Sequence, residues 1–377
     1  MKKIPAGVSV ALAITLLLFV SCSKKDAQTA SAPSEQAAPA EKQITARLLT
    51  DPTGIDDKSF NAAAWRGILQ FYGDTWDSTP NRGALYELVT AQTQDMYIPT
   101  LRQAADEKYD LIVATGFAFA DALGEVAADT PDQNYLMVDV DWIDLPNVMN
   151  VVFAEHEGSY LVGLAAALKA KADGITDPQF GFIGGIADPT ITKFEIGYIQ
   201  GILSALPNAK IVEYYANDWG RPDLAKTQAK SWYDSGVYAI YSAAGGTGNG
   251  TIAQAKEYRL QGKNVWAIGV DSDQYEEGLY NDTDSAVLTS MLKRVESSLL
   301  YALNAVKNGT FKGEVVTLDL KADGVGFALT NTAALSQDIV SKVEAEKAKI
   351  IAGTIKVAAT LEEARATPNF PADIKAQ

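Results

Sequence analysis

One cysteine and one histidine occur among 377 residues. Without a second thiol no disulfide can form within the chain, so its fold must rest on its core. Cys22 and His156 alone cannot make a His/Cys metal site, and Ser-His-Asp or Cys-His catalysis becomes an uneconomical reading. Positive charge is scarce as well: 32 Lys and Arg stand against 47 Asp and Glu, a net charge of −15. So acidic a body repels nucleic acid and anionic lipid. After residue 21 no apolar run reaches the roughly 20 residues that a spanning helix needs.

The N-terminus carries what the rest lacks. Lys2 and Lys3 precede a short apolar run over residues 8–20, which ends at Ser21-Cys22. That layout predicts a secretory signal over 1–21 rather than a membrane span. The lone thiol falls at the cleavage position, and Leu18-Phe19-Val20-Ser21-Cys22 is similar to a relaxed lipobox. Cys22 is therefore expected to carry a fatty acyl (palmitate-type) anchor. This would place the mature protein on a cell membrane, facing the periplasm or the exterior. Residues 22–43 are rich in Ala, Ser, Pro and Gln without apolar periodicity. They read as a tether, because such a segment buries too little surface to offset its ordering entropy.

From residue 44 onward short apolar strands alternate with amphipathic helices. Strand patterns fall at 44–49, 86–90, 111–115, 135–140, 148–153, 180–186, 210–215, 237–243, 265–270 and 286–291. Helical spacing falls at 61–72, 96–108, 158–170, 191–206, 224–235, 251–260 and 295–307. The alternation predicts an α/β fold with parallel sheets and right-handed crossovers. Ten strands exceed one small sheet and suit two lobes. The expected division is 44–151 with 286–312 in a first lobe, and 152–285 with 313–377 in a second.

Ligands of such folds lie beyond the carboxyl ends of the strands. Asp51, Gly116-Phe117, Asp139, Ala244-Gly245-Gly246 and Asp271 all follow or end strands, which predicts a cleft lined by carboxylates. Within Asp51-Pro52-Thr53-Gly54-Ile55-Asp56-Asp57-Lys58-Ser59-Phe60-Asn61, Ser59 is the expected N-cap. Phe60 is an aromatic at the start of the helix, and Asn61 offers both a donor and an acceptor. Gly245-Gly246-Thr247-Gly248-Asn249-Gly250 lacks the Lys-Ser/Thr ending of a phosphate loop. Nearby Asp139 and Asp271 would repel phosphate, so a neutral ligand fits better. Tyr241 is a second candidate aromatic wall. Asp139, Asp141 and Asp144 do not supply the 6–8 oxygens of a calcium loop. His156 reads as structural, and Trp65, Trp142 and Trp266 read as core.

These motifs, with 147–153 leading into Glu157-Gly158-Ser159-Tyr160-Leu161, Gly269-Val270-Asp271 and Leu288-Thr289-Ser290-Met291-Leu292-Lys293-Arg294, resemble the basic membrane protein family of lipoproteins. That family comprises spirochaete-type purine-nucleoside receptors of ABC transporters. The resemblance covers essentially the whole body. It implies the type I periplasmic binding protein fold, two Rossmann-like lobes with a hinge of three crossings. It further implies a purine ring held between Phe60 and Tyr241, with Asp51 and Asn61 at the purine edge. Asp139, Gly246, Asp271 and Lys293 complete the implied pocket, Asp271 and Lys293 near the sugar. The expected ligands are inosine, guanosine or adenosine, delivered by a monomer to an ABC permease and its ATPase. No cofactor, metal or nucleic acid is implied, and no enzymatic activity.

Two alternatives use the same residues. A sugar receptor of this fold would also use aromatics and carboxylates. Thr50-Asp51-Pro52-Thr53-Gly54-Ile55-Asp56-Asp57 looks similar to the calcium-binding strand end of nucleoside hydrolases. Thr53 is inserted relative to that pattern, and Lys58 follows the acidic pair.

Overall fold

A computed structural model describes residues 43–375. The signal, Cys22 and the tether up to residue 42 lie outside the described residues. Parallel β-strands near-continuously apolar over four to seven residues form two sheets, each covered by helices. The first half of the chain runs β1 (Ala46–Thr50), α1 (Phe60–Tyr72), β2 (Tyr86–Thr90), α2 (Tyr97–Asp106), β3 (Leu111–Thr115), α3 (Ala120–Asp129), β4 (Tyr135–Val138) and β5 (Val148–Phe153). After α4 (Glu155–Ala172) come β6 (Gln179–Gly184), α5 (Pro189–Ala205), β7 (Lys210–Tyr215), α6 (Pro222–Asp234), β8 (Val237–Ala243), α7 (Asn249–Leu260), β9 (Trp266–Asp271) and β10 (Val287–Lys293). The chain closes with α8 (Val295–Lys307), β11 (Glu314–Leu318), β12 (Val325–Phe327), α9 (Gln337–Ile351) and α10 (Leu361–Arg365).

The first sheet has the order β11-β5-β4-β3-β1-β2 and the second β12-β10-β9-β8-β6-β7. Every pairing is parallel except β10 with β12. The chain passes between the sheets three times: after β5, after β10 and after β11. This is the two-lobed α/β fold with a hinge of three crossings. All ten expected strands are present. The sequence reading missed β11, β12, α3, α9 and α10.

The expected division needs correction at its later boundary. Residues 286–312 are expected in the first lobe, yet their strand β10 pairs with β9 in the second sheet. Strand β11 was placed in the second lobe, yet it pairs with β5 in the first. The crossings are short, so a strand and the helix after it fall in different lobes: α8 packs on α1 through Gly67, where an added Cβ would lie 3.1 Å from Leu299 Cβ. β11 escaped notice because it is an edge strand, with only half its side chains turned inward.

Helices α4 and α5 pack closely because glycines let their backbones meet. A Cβ at Gly197 would lie 2.3 Å from His156 O, and one at Gly201 would lie 2.0 Å from Tyr160 O. Both contacts are with backbone, which cannot swing aside. Gly201→Ala should therefore lower stability by about 1–3 kcal/mol in chemical denaturation. Gly124→Ala in α3, where nothing lies within 4 Å of the new Cβ, should be neutral or gain up to about 1 kcal/mol. Equal effects of the two would show that the close approach is not what these glycines serve.

Candidate functional site

The carboxyl edges of both sheets face one another across a cavity of about 660 Å³, counting its mouth. Asp51, Phe60, Asn61, Asp139, Asp271 and Lys293 all line it. These six residues come from five different strand ends or helix starts, so the topology gathers what the chain keeps apart.

The turn between β1 and α1 is organised by Asp57 rather than Ser59. The buried Asp57 carboxylate accepts the backbone N–H groups of Ser59 (3.0 Å), Asn61 (2.7 Å) and Ala62 (3.0 Å). A carboxylate at a helix N-terminus satisfies orphan donors and meets the positive end of the dipole. Burial nevertheless pushes its pKa up to about 6, against the lowering effect of those three N–H groups. Ser59, freed from capping, turns its hydroxyl across the cleft to Asp271 Oδ2 at 2.7 Å.

Asn61 is committed within its own lobe. Its Nδ2 donates to Asp51 Oδ1 and to Thr53 Oγ1, each at 3.1 Å, and its Oδ1 accepts from Thr115 Oγ1 at 2.7 Å. It thereby fixes Asp51, whose Oδ1 also accepts from the Thr53 N–H and hydroxyl. Asp51 Oδ2 has no hydrogen-bond donor among the described residues.

Lys293 ends β10 and is 1% exposed. Its ammonium lies 2.7 Å from Asp139 Oδ1, 2.8 Å from Oδ2 and 3.0 Å from Glu155 Oε1. It also stands 5.1 Å from the ring centre of Phe60 and 5.4 Å from that of Phe194. Burial acts to lower the Lys293 pKa, but Asp139, Glu155 and Asp271 together raise it, so the group stays charged. Burial pushes Asp139 and Asp271 up to about 6, the Lys293 charge opposing in both. Both aspartates have left-handed backbone, φ 70° and 63°. That region is sparsely used outside glycine and asparagine or aspartate, and such strain gathers at functional sites.

Glu155 escaped the sequence reading. It is 1% exposed and is the first residue of α4, directly past β5. Its signal was the same as that of Asp51 and Asp139, an acidic residue just beyond a strand's carboxyl end.

Tyr241 does not form a wall. It is fully buried inside β8, below the strand end, with its hydroxyl 3.2 Å from Ser159 Oγ and its ring against Phe182 and Tyr198. Strand parity aims it under α4 and α5. The aromatics that line the cavity are Phe60, Phe117, Phe194 and Trp219. Trp219 is half-buried and supplied by the second lobe; it lies over Gly185, where an added Cβ would be 2.0 Å from the ring. Phe194 is 3% exposed. Gly246 lines an adjoining opening with Asp56 and Asp218, while Gly245, φ 53°, reaches the main cavity. Asp141 and Asp144 are exposed, as is Trp142 at 61%, contrary to its reading as core; Trp65 and Trp266 are buried. His156 is half-buried and does not line the cavity, and desolvation pushes its pKa down to about 4.

Comparison with known proteins narrows what this geometry serves. The family described as "ABC transporter substrate-binding protein PnrA-like" matches residues 44–360. The CD4+ T-cell-stimulating antigen of Listeria monocytogenes is 38% identical over 84% of this chain and 88% of its own length. The ABC transporter nucleoside-binding protein BmpA of Lactococcus lactis is 33% identical over 95% of this chain and 99% of its own. Basic membrane protein A of Borreliella burgdorferi is 29% identical over 89% of this chain and 90% of its own. Among solved structures, an ABC transporter solute-binding protein from Aeropyrum pernix superposes with TM-score 0.72 at 27% identity, over 86% of this chain and 96% of that one. A solute-binding protein from Actinobacillus succinogenes with bound D-allose, at 16% identity and TM-score 0.54, shares the fold alone. The fold by itself therefore does not choose the ligand.

The raised carboxylates set a pH dependence. Unfolded aspartate titrates near 3.9, so between about pH 4 and 6 the folded ligand-free protein holds extra protons on Asp57, Asp139 and Asp271. Their contribution to stability is complete below about pH 4 and falls as pH rises through 6. His156, depressed to about 4, works in the opposite sense over the same window. A difference measurement separates them. Asp271→Asn should gain about 2 kcal/mol relative to wild type between pH 4 and 7, since each tenfold change in proton affinity amounts to about 1.4 kcal/mol. Urea denaturation across that range reads it, and a pH-independent difference would contradict the burial of the Asp271 charge.

Proposed function

We propose that this chain, which belongs to the PnrA-like family of ABC transporter substrate-binding proteins, captures purine nucleosides in its interlobe cavity and delivers them to the importer's permease. The observation that carries the reading is the pairing of half-buried aromatic faces, Phe60 and Trp219, with a buried polar cluster of several carboxylates and one lysine. A purine offers two flat faces for stacking, and a ribose offers hydroxyl donors that carboxylates accept. Asp51 Oδ2 and Asp271 Oδ1 are acceptors that the described protein leaves unused. Lys293 is the complementary donor. Trp219 takes the place that the resemblance gave to Tyr241, and Asn61 acts by holding Asp51.

The magnitudes suffice. Stacking contributes roughly 1–3 kcal/mol per base, and hydrogen bonds to charged groups roughly 1.5–3 kcal/mol each. A few of each reach the roughly 8–10 kcal/mol of a micromolar-or-better receptor. Closure of the lobes removes water and strengthens each contact. Relatives carry names such as lipoprotein and membrane protein, which supports an anchor at Cys22. No helix among the described residues is long and apolar enough to cross a membrane.

Mass spectrometry of small molecules released from freshly purified, denatured protein tests the ligand class directly. Competition then tests the contacts: inosine should bind at least about tenfold tighter than hypoxanthine or inosine monophosphate, and D-galactose should not compete. Equal affinity for the three purines would show that the pocket does not read ribose. Release of free hypoxanthine on incubation with inosine and calcium would favour the hydrolase instead.

The wall assignment has its own measurement. Trp219→Ala should weaken inosine binding by about 1–3 kcal/mol in calorimetry, whereas Tyr241→Leu, which removes a ring from the core, should leave the affinity of the folded protein nearly unchanged. The reverse ranking would restore Tyr241.

A further inference from the structure

We infer that Ser59 is a positioning residue: from the first lobe it orients the Asp271 carboxylate of the second, so that the acceptor presented to a ligand hydroxyl is formed only when the lobes are closed. The inference rests on the nucleoside reading for its ligand, but its geometry stands on the protein alone.

Three consecutive backbone carbonyls of the β1–α1 turn dock onto three side chains across the cleft. Asp57 O accepts from Asn249 Nδ2 at 3.1 Å, Lys58 O from Gln274 Nε2 at 3.2 Å, and Ser59 O from Ser272 Oγ at 2.8 Å. The receiving surface is itself fixed. Gln274 Oε1 accepts from the Val270 N–H at 3.0 Å, and the Gln274 N–H donates to Ser290 Oγ at 3.0 Å. Arg66 Nη2 on α1 donates to Ser272 Oγ at 2.6 Å, adding a further tie from the first lobe. The turn is thus a strap held at three successive residues, and a chain so held has little freedom to shift its side chains.

At the third of those residues the Ser59 hydroxyl is fully buried and lies 2.7 Å from Asp271 Oδ2, nearer than its other acceptor, Val270 O at 3.1 Å. It is the hydrogen-bond donor that the described residues supply to this carboxylate. Asp271 Oδ1 is buried at the cavity with no hydrogen-bond partner. A carboxylate held through one oxygen has its plane fixed, and the other oxygen is aimed. An unpaired buried acceptor is unfavourable until a ligand donor reaches it. Because the donor that aims it belongs to the opposite lobe, opening the cleft removes both the aim and the enclosure. Hydroxyl recognition and closure are then linked, and each favours the other by the same free energy.

The test has a ligand-free arm and a ligand arm, both on the full chain. Carbon-13 carboxyl titration of ligand-free wild type and Ser59→Ala should show the Asp271 midpoint rising from about 6 in the variant, since the lost hydroxyl stabilised the charged form. Lys293, Asp57, Glu155 and Asp139, the charged groups that face Asp271, are the same in both proteins. An unmoved midpoint would overturn the inference. In calorimetry Ser59→Ala should lose about tenfold in affinity for inosine but little for 2′,3′-dideoxyinosine, which lacks the hydroxyls. Equal losses for both ligands would reduce Ser59 to a fold element and also overturn it. Should Ser59→Ala not fold, Asn249→Ala loosens the strap with the hydroxyl in place. It should show the same order, a smaller loss confined to inosine, and a uniform loss would count against the inference. Failure of every nucleoside to bind would refute the ligand class while leaving the titration to decide the Ser59–Asp271 bond. An unmoved midpoint with intact inosine binding would refute Ser59 alone.

Discussion

A buried ammonium at the junction of the lobes is the constraint around which the rest is arranged. Lys293 ends β10 just before the chain crosses to α8, and its partners Asp139 and Glu155 come from the ends of two other strands. Glu155 itself lies at the first crossing, where β5 gives way to α4. One charge therefore ties two of the three crossings to the first-lobe sheet. Removing one member of such a buried pair typically costs about 3–5 kcal/mol, because the charge left behind has no water. A hinge can bend only if this cluster stays intact through the motion. The cluster thus fixes the floor of the cleft, and the β1–α1 strap closes its rim by hydrogen bonds to the second lobe.

The same cluster explains why the site is built from strained residues. Asp139 and Asp271 each leave the strand in left-handed backbone. A residue that continued the strand would send its side chain perpendicular to the sheet, into the covering helices, as Tyr241 does. Turning the backbone at the last strand position sends the carboxylate off the sheet edge, toward Lys293 and the cavity. The strain, of order 1–3 kcal/mol per residue, is offset by the Lys293 contact at Asp139 and by the Ser59 hydroxyl at Asp271.

This division also marks what could be read from the sequence. Strands such as β3 and β8, apolar at nearly every position, declare themselves, and their ends predict where polar residues will gather. Asp51, Phe60, Asn61, Asp139, Asp271 and Lys293 meet at one cavity for that reason. Side-chain direction is less legible. Tyr241 and Asp271 both lie near strand ends, but one is two residues inside β8 and the other is the last residue of β9. A shift of that size decides between core and cleft. Trp219 sits in a loop without periodicity, and only Gly185, which leaves room for the ring above it, hints that a flat ring rests there. Edge strands fail for another reason: β11 alternates and β12 spans three residues, so neither stands out from a loop. The lobe boundary then went wrong with them, because a crossing is legible only when the strands on both sides of it are.

Charge balance carries the argument one step further, to what the cavity can admit. Asp51, Asp57, Asp139 and Asp271 line the cavity with a single lysine, Lys293, which already has the carboxylates of Asp139 and Glu155 within 3.0 Å; Glu155 also faces Lys193 at 3.6 Å. The adjoining mouth adds Asp56 and Asp218. An anion entering would meet carboxylates at the mouth and a cation already neutralised at the floor. Repulsion across a few ångströms of partly desolvated protein amounts to several kcal/mol at an effective dielectric near 20. A neutral molecule rich in hydroxyl donors meets none of this and supplies the hydrogens that unpaired acceptors such as Asp271 Oδ1 lack. Selection by charge therefore needs no residue that clashes with a phosphate. It follows from lining the cavity with more carboxylates than its one ammonium can balance; burial first, and the neighbouring carboxylates only after it, raises Asp139 and Asp271 toward neutrality.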